Sequence, residues 1–204
     1  MFTLNIGQFC GAPTRLIVHE SLHDEFVKKV VGHMQQQKLG RWSEEGVTNG
    51  PVASQKQLDR ILSYIKIGQE EGAKIVAGGK RLPREGFFVE PTLFTGVKNN
   101  MRIAQEEIFG PVAVVIKFKE TDEAIAIAND NRYGLFGGVF SRDAKTCHEV
   151  ARRVDVGNMA INNYFMFDYD AAFGGFKHSG VGRDLGPEAL SHYFEYKTIT
   201  QDFN

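Results

Sequence analysis

The chain reads as an α/β protein built on a mainly parallel open sheet with flanking helices. Two observations predict this. Short apolar, β-branched runs alternate with segments whose apolar residues recur every third or fourth position, the pattern of strand–helix–strand units. The run Val112 to Phe118 is apolar at nearly every position, as expected of a strand covered on both faces. No internal repeat and no low-complexity linker interrupts the alternation, so residues 1–195 are taken as one domain.

The elements follow in order. Arg15 to His19 is a short buried strand. Ser21 is placed to cap a helix carrying Leu22, Phe26, Val30 and Met34, and Ser54 to cap another carrying Leu58, Ile61, Leu62 and Ile65. Between them, Asn49-Gly50-Pro51 is a strong breaker. Lys74 to Val76 begins a strand, and Phe87 to Val97 reads as strand interrupted at Pro91. Met101 to Ile108 suits one or two helical turns, closed by Gly110-Pro111. After Val112 to Phe118, Thr121 is placed to cap a helix from Asp122 to Asn129, and Leu135 to Phe140 is strand. Asp143 then caps a helix reaching Val154, and Asn158 to Asn162 is strand. The glycine- and aromatic-rich stretch from Asn163 to Arg183 is too long for a passive connector. Glu188 to Phe194 is predicted as helix and Tyr196 to Gln201 as strand, with 196–204 set apart as a C-terminal strand available for oligomerisation.

At 204 residues the chain can bury roughly 70% of its unfolded surface without staples. The 24 Lys+Arg against 25 Asp+Glu, with no block of like charge, argue against a nucleic-acid or membrane-surface role. Cys10 and Cys147 are too few for a disulfide framework and suit a reducing compartment. With neither a signal peptide nor a membrane-length apolar run in view, the expectation is a cytoplasmic protein.

Three segments carry chemistry. In Asn5 to Arg15, Cys10 lies on a glycine-rich turn leading into a strand, where a substrate can approach a thiol. Cys147, by contrast, shares a helical stripe with Val150, Ala151 and Val154 and reads as structural. If Cys10 acts, it acts as thiolate, and backbone N–H groups near Gly11 could help stabilise the anion. In Gln105 to Pro111 a carboxylate pair and an aromatic precede a Gly-Pro turn, and a carboxylate there could accept from both hydroxyls of a ribose. A charged helix end before a loop explains the same residues. In Phe173 to Arg183 neither phosphate-loop pattern holds. Leu185 stands where a dinucleotide fingerprint needs its third glycine, and Lys177 follows Phe176 rather than glycine. The aromatics around it suit either core or an apolar substrate pocket. None of the six histidines is singled out by a local signature, and no metal site is expected.

Together, Asn-x-Gly-Gln-x-Cys-x4-Arg at 5–15, Glu-Glu-Ile-Phe-Gly-Pro at 106–111 and Phe-Gly-Gly-x-Lys-x-Ser-Gly-x-Gly-Arg at 173–183 resemble the aldehyde dehydrogenase superfamily. Gly86 to Thr92, Met101-Arg102-Ile103 and Tyr133-Gly134-Leu135 match as well. The resemblance implies the superfamily's catalytic-domain fold and a reaction that oxidises an aldehyde to a carboxylic acid with NAD or NADP. It implies Cys10 as the nucleophile, Glu107 as the carboxylate holding the nicotinamide ribose, and Phe109 beside it. Gln57 and Arg60 occupy positions that approach the cofactor less consistently, and a plain solvated helix face explains them too. Phe167 and Phe173 resemble substrate-funnel residues.

Only nine residues precede Cys10. The family's dinucleotide-binding domain, its water-activating glutamate and the asparagine of its oxyanion hole precede the cysteine. The expectation is therefore a catalytic portion without its cofactor-binding domain, partnered by a small-molecule aldehyde and by either a second copy of itself or an N-terminal half. Two further readings stand beside this one: a thiol-dependent esterase using Cys10, and a non-catalytic association module using the terminal strand.

Overall fold

The computed structural model describes residues 2–164 and 168–203. The chain divides into two compact units, Met1–Asn131 and Arg132–Asn204. The first is built on a four-stranded sheet. Its elements are β1 (Arg15–His19), α1 (His23–Gln35), α2 (Gln55–Glu70), β2 (Lys74–Ala77), β3 (Thr92–Thr95), α3 (Arg102–Gln105), β4 (Val112–Phe118) and α4 (Thr121–Asn129). The strand order is β1-β4-β3-β2. β4 pairs in parallel with β1 (Arg15 opposite Val114) and with β3 (Thr92 opposite Val112), while β2 joins β3 antiparallel. The sheet is thus mainly parallel, as the sequence predicts.

The central position of β4 explains its composition. All five residues from Val112 to Ile116 are buried. Ala113 and Val115 join Leu93, Val18 and Met34 in one apolar cluster, against which Phe26, Val27, Val30 and Val31 of α1 rest. Val112, Val114 and Ile116 join Phe94 and the α2 residues Leu58, Ile61, Tyr64 and Ile65 in the other. Alternate residues of one strand therefore bury on opposite faces, against α1 on one side and against α2, with Ile103 and Ala104 of α3, on the other.

The departures from the sequence reading have local causes. Ser21 does not cap α1, because its hydroxyl bonds His19 Nδ1 at 2.8 Å and residues 20–22 form a 3-10 turn, which leaves Leu22 as the N-cap. Leu22 is exposed. Thr121 is the first residue of α4 and Glu120 its N-cap; the nearby bond runs from the Lys119 N–H to Glu123 Oε2. Ser54 does cap α2, accepting from the Gln57 N–H at 3.2 Å. The predicted strand over 87–97 shortens to Thr92–Thr95, since Pro91 has no N–H to donate to a ladder.

The second unit contains β5 (Tyr133–Gly134), β6 (Phe136–Val139), α5 (Ala144–Arg153), β7 (Asn158–Ile161) and β8 (Phe176–Lys177). β6 and β7 pair in parallel and β5 with β8 antiparallel. Asp143 caps α5 by accepting from the N–H groups of Lys145 and Thr146. Pro187–His192 is a 3-10 helix where a helix over 188–194 is predicted. Residues 196–203 form no strand: Tyr196, Ile199 and Phe203 are exposed, and a strand needs a neighbour to receive its hydrogen bonds. Among the described residues no helix is long and apolar enough to cross a membrane.

Candidate active site

Topology brings two of the three informative segments together. The Cys10 segment leads into β1 and the Glu107 segment into β4, and these strands are parallel neighbours. Their incoming loops must then lie at the same end of the sheet. The chain uses glycine to close that approach. Gly7, at φ 72°, lies directly on the carbonyl of Gly110, and a Cβ there would also come within 2.6 Å of the Pro111 nitrogen. Gly110 in turn lies on the side chain of Ile61 from α2.

The Cys10 turn is short and tied at both ends. The Ala12 N–H donates to the Phe9 carbonyl at 3.0 Å, placing Cys10 and Gly11 at the corner. Asn5 Nδ2 donates to the Gln8 carbonyl, and Gln8 Oε1 accepts the Ala53 N–H at 2.9 Å. Asn5 and Ile6 both adopt left-handed backbone, at φ 50° and 52°. For a buried, β-branched isoleucine this is an outlier of the kind that gathers where function constrains the chain. The result is an exposed Cys10 thiol. Among the described residues nothing accepts the Cys10 backbone N–H.

The Glu107 loop is held from behind. Phe109 is also left-handed, at φ 59°, and stays 37% exposed. Gln57 Nε2 donates to the carbonyls of Ile108 (3.1 Å) and Phe109 (2.7 Å), and Arg60 Nη2 donates to the carbonyl of Glu107 (2.6 Å). The two helix residues whose sequence suggested a solvated face therefore grip three successive carbonyls. The carboxylate pair separates by role. Glu106 accepts from the Tyr64 hydroxyl at 2.6 Å and from Arg102 at 2.8 and 3.1 Å. Glu107 is exposed, and among the described residues its carboxylate has no partner. Burial, and then the bond to Glu106, raise the Tyr64 phenol above its usual range, so it remains a donor. Arg60 stacks over the Tyr64 ring at 5.0 Å. A groove of about 550 Å³ runs along this face of α2 beside Gln57, Arg60, Tyr64 and Arg102.

Arg15, the last residue of the cysteine motif, is an anchor. Its guanidinium donates to the carbonyls of Ile127 and Ala128 at the end of α4 and to Asn99 Oδ1. Burial pulls its pKa down, with Asp130 partly opposing. Gln105 reaches the carbonyls of Asn99 and Asp130, so the same polar knot ties the entry to the Glu107 loop. Periodicity could not reveal the Arg15 contacts, because they join β1 to residues 84 to 113 positions further along the chain.

The third segment lies in the second unit. Phe173 is half-buried and pairs through its backbone with Asp184 in both directions, at 2.7 and 2.8 Å. Arg183 donates to the carbonyls of Gly175 and Gly182 and stacks over Phe176. Phe167, the other predicted funnel residue, lies outside the described residues. Cys147 is fully buried, as its helical stripe predicts, with its sulfur 3.7 Å from the Ser141 carbonyl. No group of three His, Cys, Asp or Glu side chains suited to a metal occurs among the described residues.

A thiol-bearing turn packed through glycine on a loop that carries an unpartnered carboxylate defines a class of thiol-bearing α/β domain. Comparison with known proteins makes it specific. The aldehyde dehydrogenase family model matches residues 1–199, and the chain belongs to that family. An aldehyde dehydrogenase of Emericella nidulans is 45% identical over 195 residues, which are 96% of this chain and 39% of that protein. The cytosolic 10-formyltetrahydrofolate dehydrogenase of Xenopus tropicalis is 43% identical across 98% of this chain and 22% of its own length. Among solved structures, the NAD+ complex of an aldehyde dehydrogenase from Bacillus cereus superposes with a TM-score of 0.96 at 42% identity. It covers all of this chain and 41% of that one. The NAD+ complex of betaine aldehyde dehydrogenase from Staphylococcus aureus gives 0.90 at 40% identity, over 93% of this chain and 38% of that one. The chain thus spans about two fifths of the Emericella protein and of these two structures.

Proposed function

We propose that residues 1–195 are the thiol-bearing catalytic portion of an NAD(P)-dependent aldehyde dehydrogenase, with Cys10 as nucleophile. The observation that carries this is the packing of the Cys10 turn on the Glu107 loop through Gly7 and Gly110. It brings to one end of the sheet the turn with the exposed Cys10 thiol and the loop with a carboxylate whose oxygens suit two ribose hydroxyls. Glu107 and Phe109 present the surface for the cofactor, which supplies the hydride acceptor when bound. Gln57 and Arg60 serve it through the loop they hold. For the aldehyde's substituent, Phe167 and Phe173 are carried as candidates by the family resemblance alone.

The chemistry assigned to this chain is nucleophilic catalysis. The Cys10 thiolate adds to the aldehyde carbon, forming a C–S bond and placing the carbonyl electron pair on oxygen. The open Cys10 N–H is the donor assigned to that oxyanion. The carbonyl reforms as the C–H bond breaks and its electron pair leaves as hydride, giving a thioester on Cys10. Water then adds, the C–S bond breaks, and the carboxylic acid departs with the thiol restored. The Arg60 and Gln57 bonds keep Glu107 fixed throughout.

The test is thiol-specific. Cys10→Ala is expected to abolish both p-nitrophenyl acetate hydrolysis and the single fast iodoacetamide adduct. Ester hydrolysis that survives this substitution unchanged would overturn the nucleophile assignment. Because the chain corresponds to two fifths of such relatives, it is not expected to produce NADH efficiently by itself, and robust production would revise the proposal. A second role belongs to residues 196–204. Tyr196, Ile199 and Phe203 are 92%, 79% and 88% exposed, which suits pairing of this segment with a second copy or another chain. Size-exclusion chromatography with and without the segment tests that association, and an unchanged elution volume would refute it.

A further inference from the structure

The first two turns of α2, with the residues just before it, touch both halves of the proposed site. The Ala53 N–H holds Gln8 of the Cys10 turn, Gln57 and Arg60 hold three carbonyls of the Glu107 loop, and Ile61 supports Gly110. The left-handed turn at Phe109 aims two successive carbonyls at one donor, so a single carboxamide nitrogen reaches both. The second of these carbonyls belongs to the peptide entering Gly110, and the carbonyl of Gly110 is where Gly7 rests. This is a backbone-on-backbone contact, with no side chain to yield. A displacement of Phe109–Gly110 must therefore pass to Gly7, three residues before Cys10.

We propose that the start of α2 is a common mount for nucleophile and carboxylate, and that Gln57 is the positioning residue that sets Cys10 relative to Glu107 without touching either side chain. The proposal deepens the reading given above and rests on it. It also accounts for Arg60, whose guanidinium is steadied by the Tyr64 ring while Tyr64 and Arg102 keep Glu106 turned away. Glu106 is thereby committed to the frame, which leaves Glu107 as the carboxylate for a ligand.

Hydrogen exchange read by mass spectrometry on the 204-residue chain tests the mount without cofactor or substrate. Gln57→Leu keeps the bulk and removes the donors, whereas Gln57→Lys returns an N–H donor. With two hydrogen bonds lost, the peptides covering 107–110 and 5–11 are both expected to exchange about tenfold faster in Gln57→Leu. The β4 peptide is expected to hold its wild-type rate, and Gln57→Lys to restore both affected peptides. Iodoacetamide modification of Cys10 is expected to change by several-fold in the same order. Faster exchange confined to 107–110, or no change in either peptide, overturns the proposal. Should Gln57→Leu loosen β4 as well, Arg60→Met, which removes the bond to the Glu107 carbonyl along with the guanidinium's contacts to Tyr64, gives the same two-peptide reading. The nucleophile assignment fails separately: ester hydrolysis surviving Cys10→Ala would remove it, while the exchange pattern would still decide the mount.

Discussion

The two cysteines occupy opposite kinds of surroundings, and the contrast shows how this chain holds one thiol open and the other in its core. Cys147 is fully buried on α5, a helix whose start is fastened by Asp143. Cys10 is exposed on a turn that owes its shape to left-handed residues and to glycine resting on glycine. The first thiol behaves as a small hydrophobe because the helix buries it. The second is open because the contacts fixing its turn, backbone bonds and the side chains of Asn5 and Gln8, are made by its neighbours and leave the sulfur exposed.

The strongest way to break the contrast is to fill the junction under Cys10. Gly7→Ala puts a Cβ into the Gly110 carbonyl at a backbone angle that L-residues resist. The expected cost is roughly 2–5 kcal/mol, from strain and overpacking together. Thermal unfolding should register it as a drop of several degrees, accompanied by slower or heterogeneous alkylation of Cys10. Gly50→Ala is the control, since nothing lies within 4 Å of its would-be Cβ and its φ is not positive. Equal melting temperatures for the two variants would show that the Gly7–Gly110 contact is dispensable.

A smaller effect separates the thiols directly. Cys147→Leu forces extra volume into a site with no exposure and is expected to cost about 1–3 kcal/mol. Cys10→Ala is expected to change stability by less than about 0.5 kcal/mol while removing the fast thiol adduct. Denaturant titration measures both. A larger loss at Cys10 than at Cys147 would reverse the assignment of structural and reactive thiol.

The same contrast explains how much was legible in the sequence. Cys147 could be placed from helical periodicity, and β4 from an apolar run without alternation, because those signals are local. The paired segments around Cys10 and Glu107 were legible as motifs, and the family resemblance supplied the roles proposed for them. Their union was not, because it rests on Gly7 meeting Gly110 across the β1–β4 pairing. Gln57 and Arg60 looked like a polar helix face for the same reason: their acceptors are backbone carbonyls, which carry no residue-type signal. Ser21 failed as a cap because a histidine two residues earlier engages its hydroxyl and α1 starts one residue later than a Ser21 cap requires. The strand expected at 196–201 had suitable residues and no neighbour to pair with.

The smallest effect concerns the helix that buries Cys147. Asp143 accepts from the Thr146 hydroxyl and N–H and from the Lys145 N–H, and these bonds hold its carboxyl below the usual aspartate range. A depressed native pKa means the cap's contribution is complete above the unfolded value of about 3.9 and disappears as pH falls through the lower native value. In a Cys10→Ala background Cys147 is the single thiol, so its labelling by dithiodipyridine, which reads thiols in acid, reports opening of α5. Labelling is expected to accelerate as pH falls below about 4. Asp143→Asn keeps an oxygen acceptor and does not titrate, so its labelling should be slightly faster at neutral pH and flatter below it. Superimposable pH profiles for the two proteins would mean that the cap does not control access to Cys147.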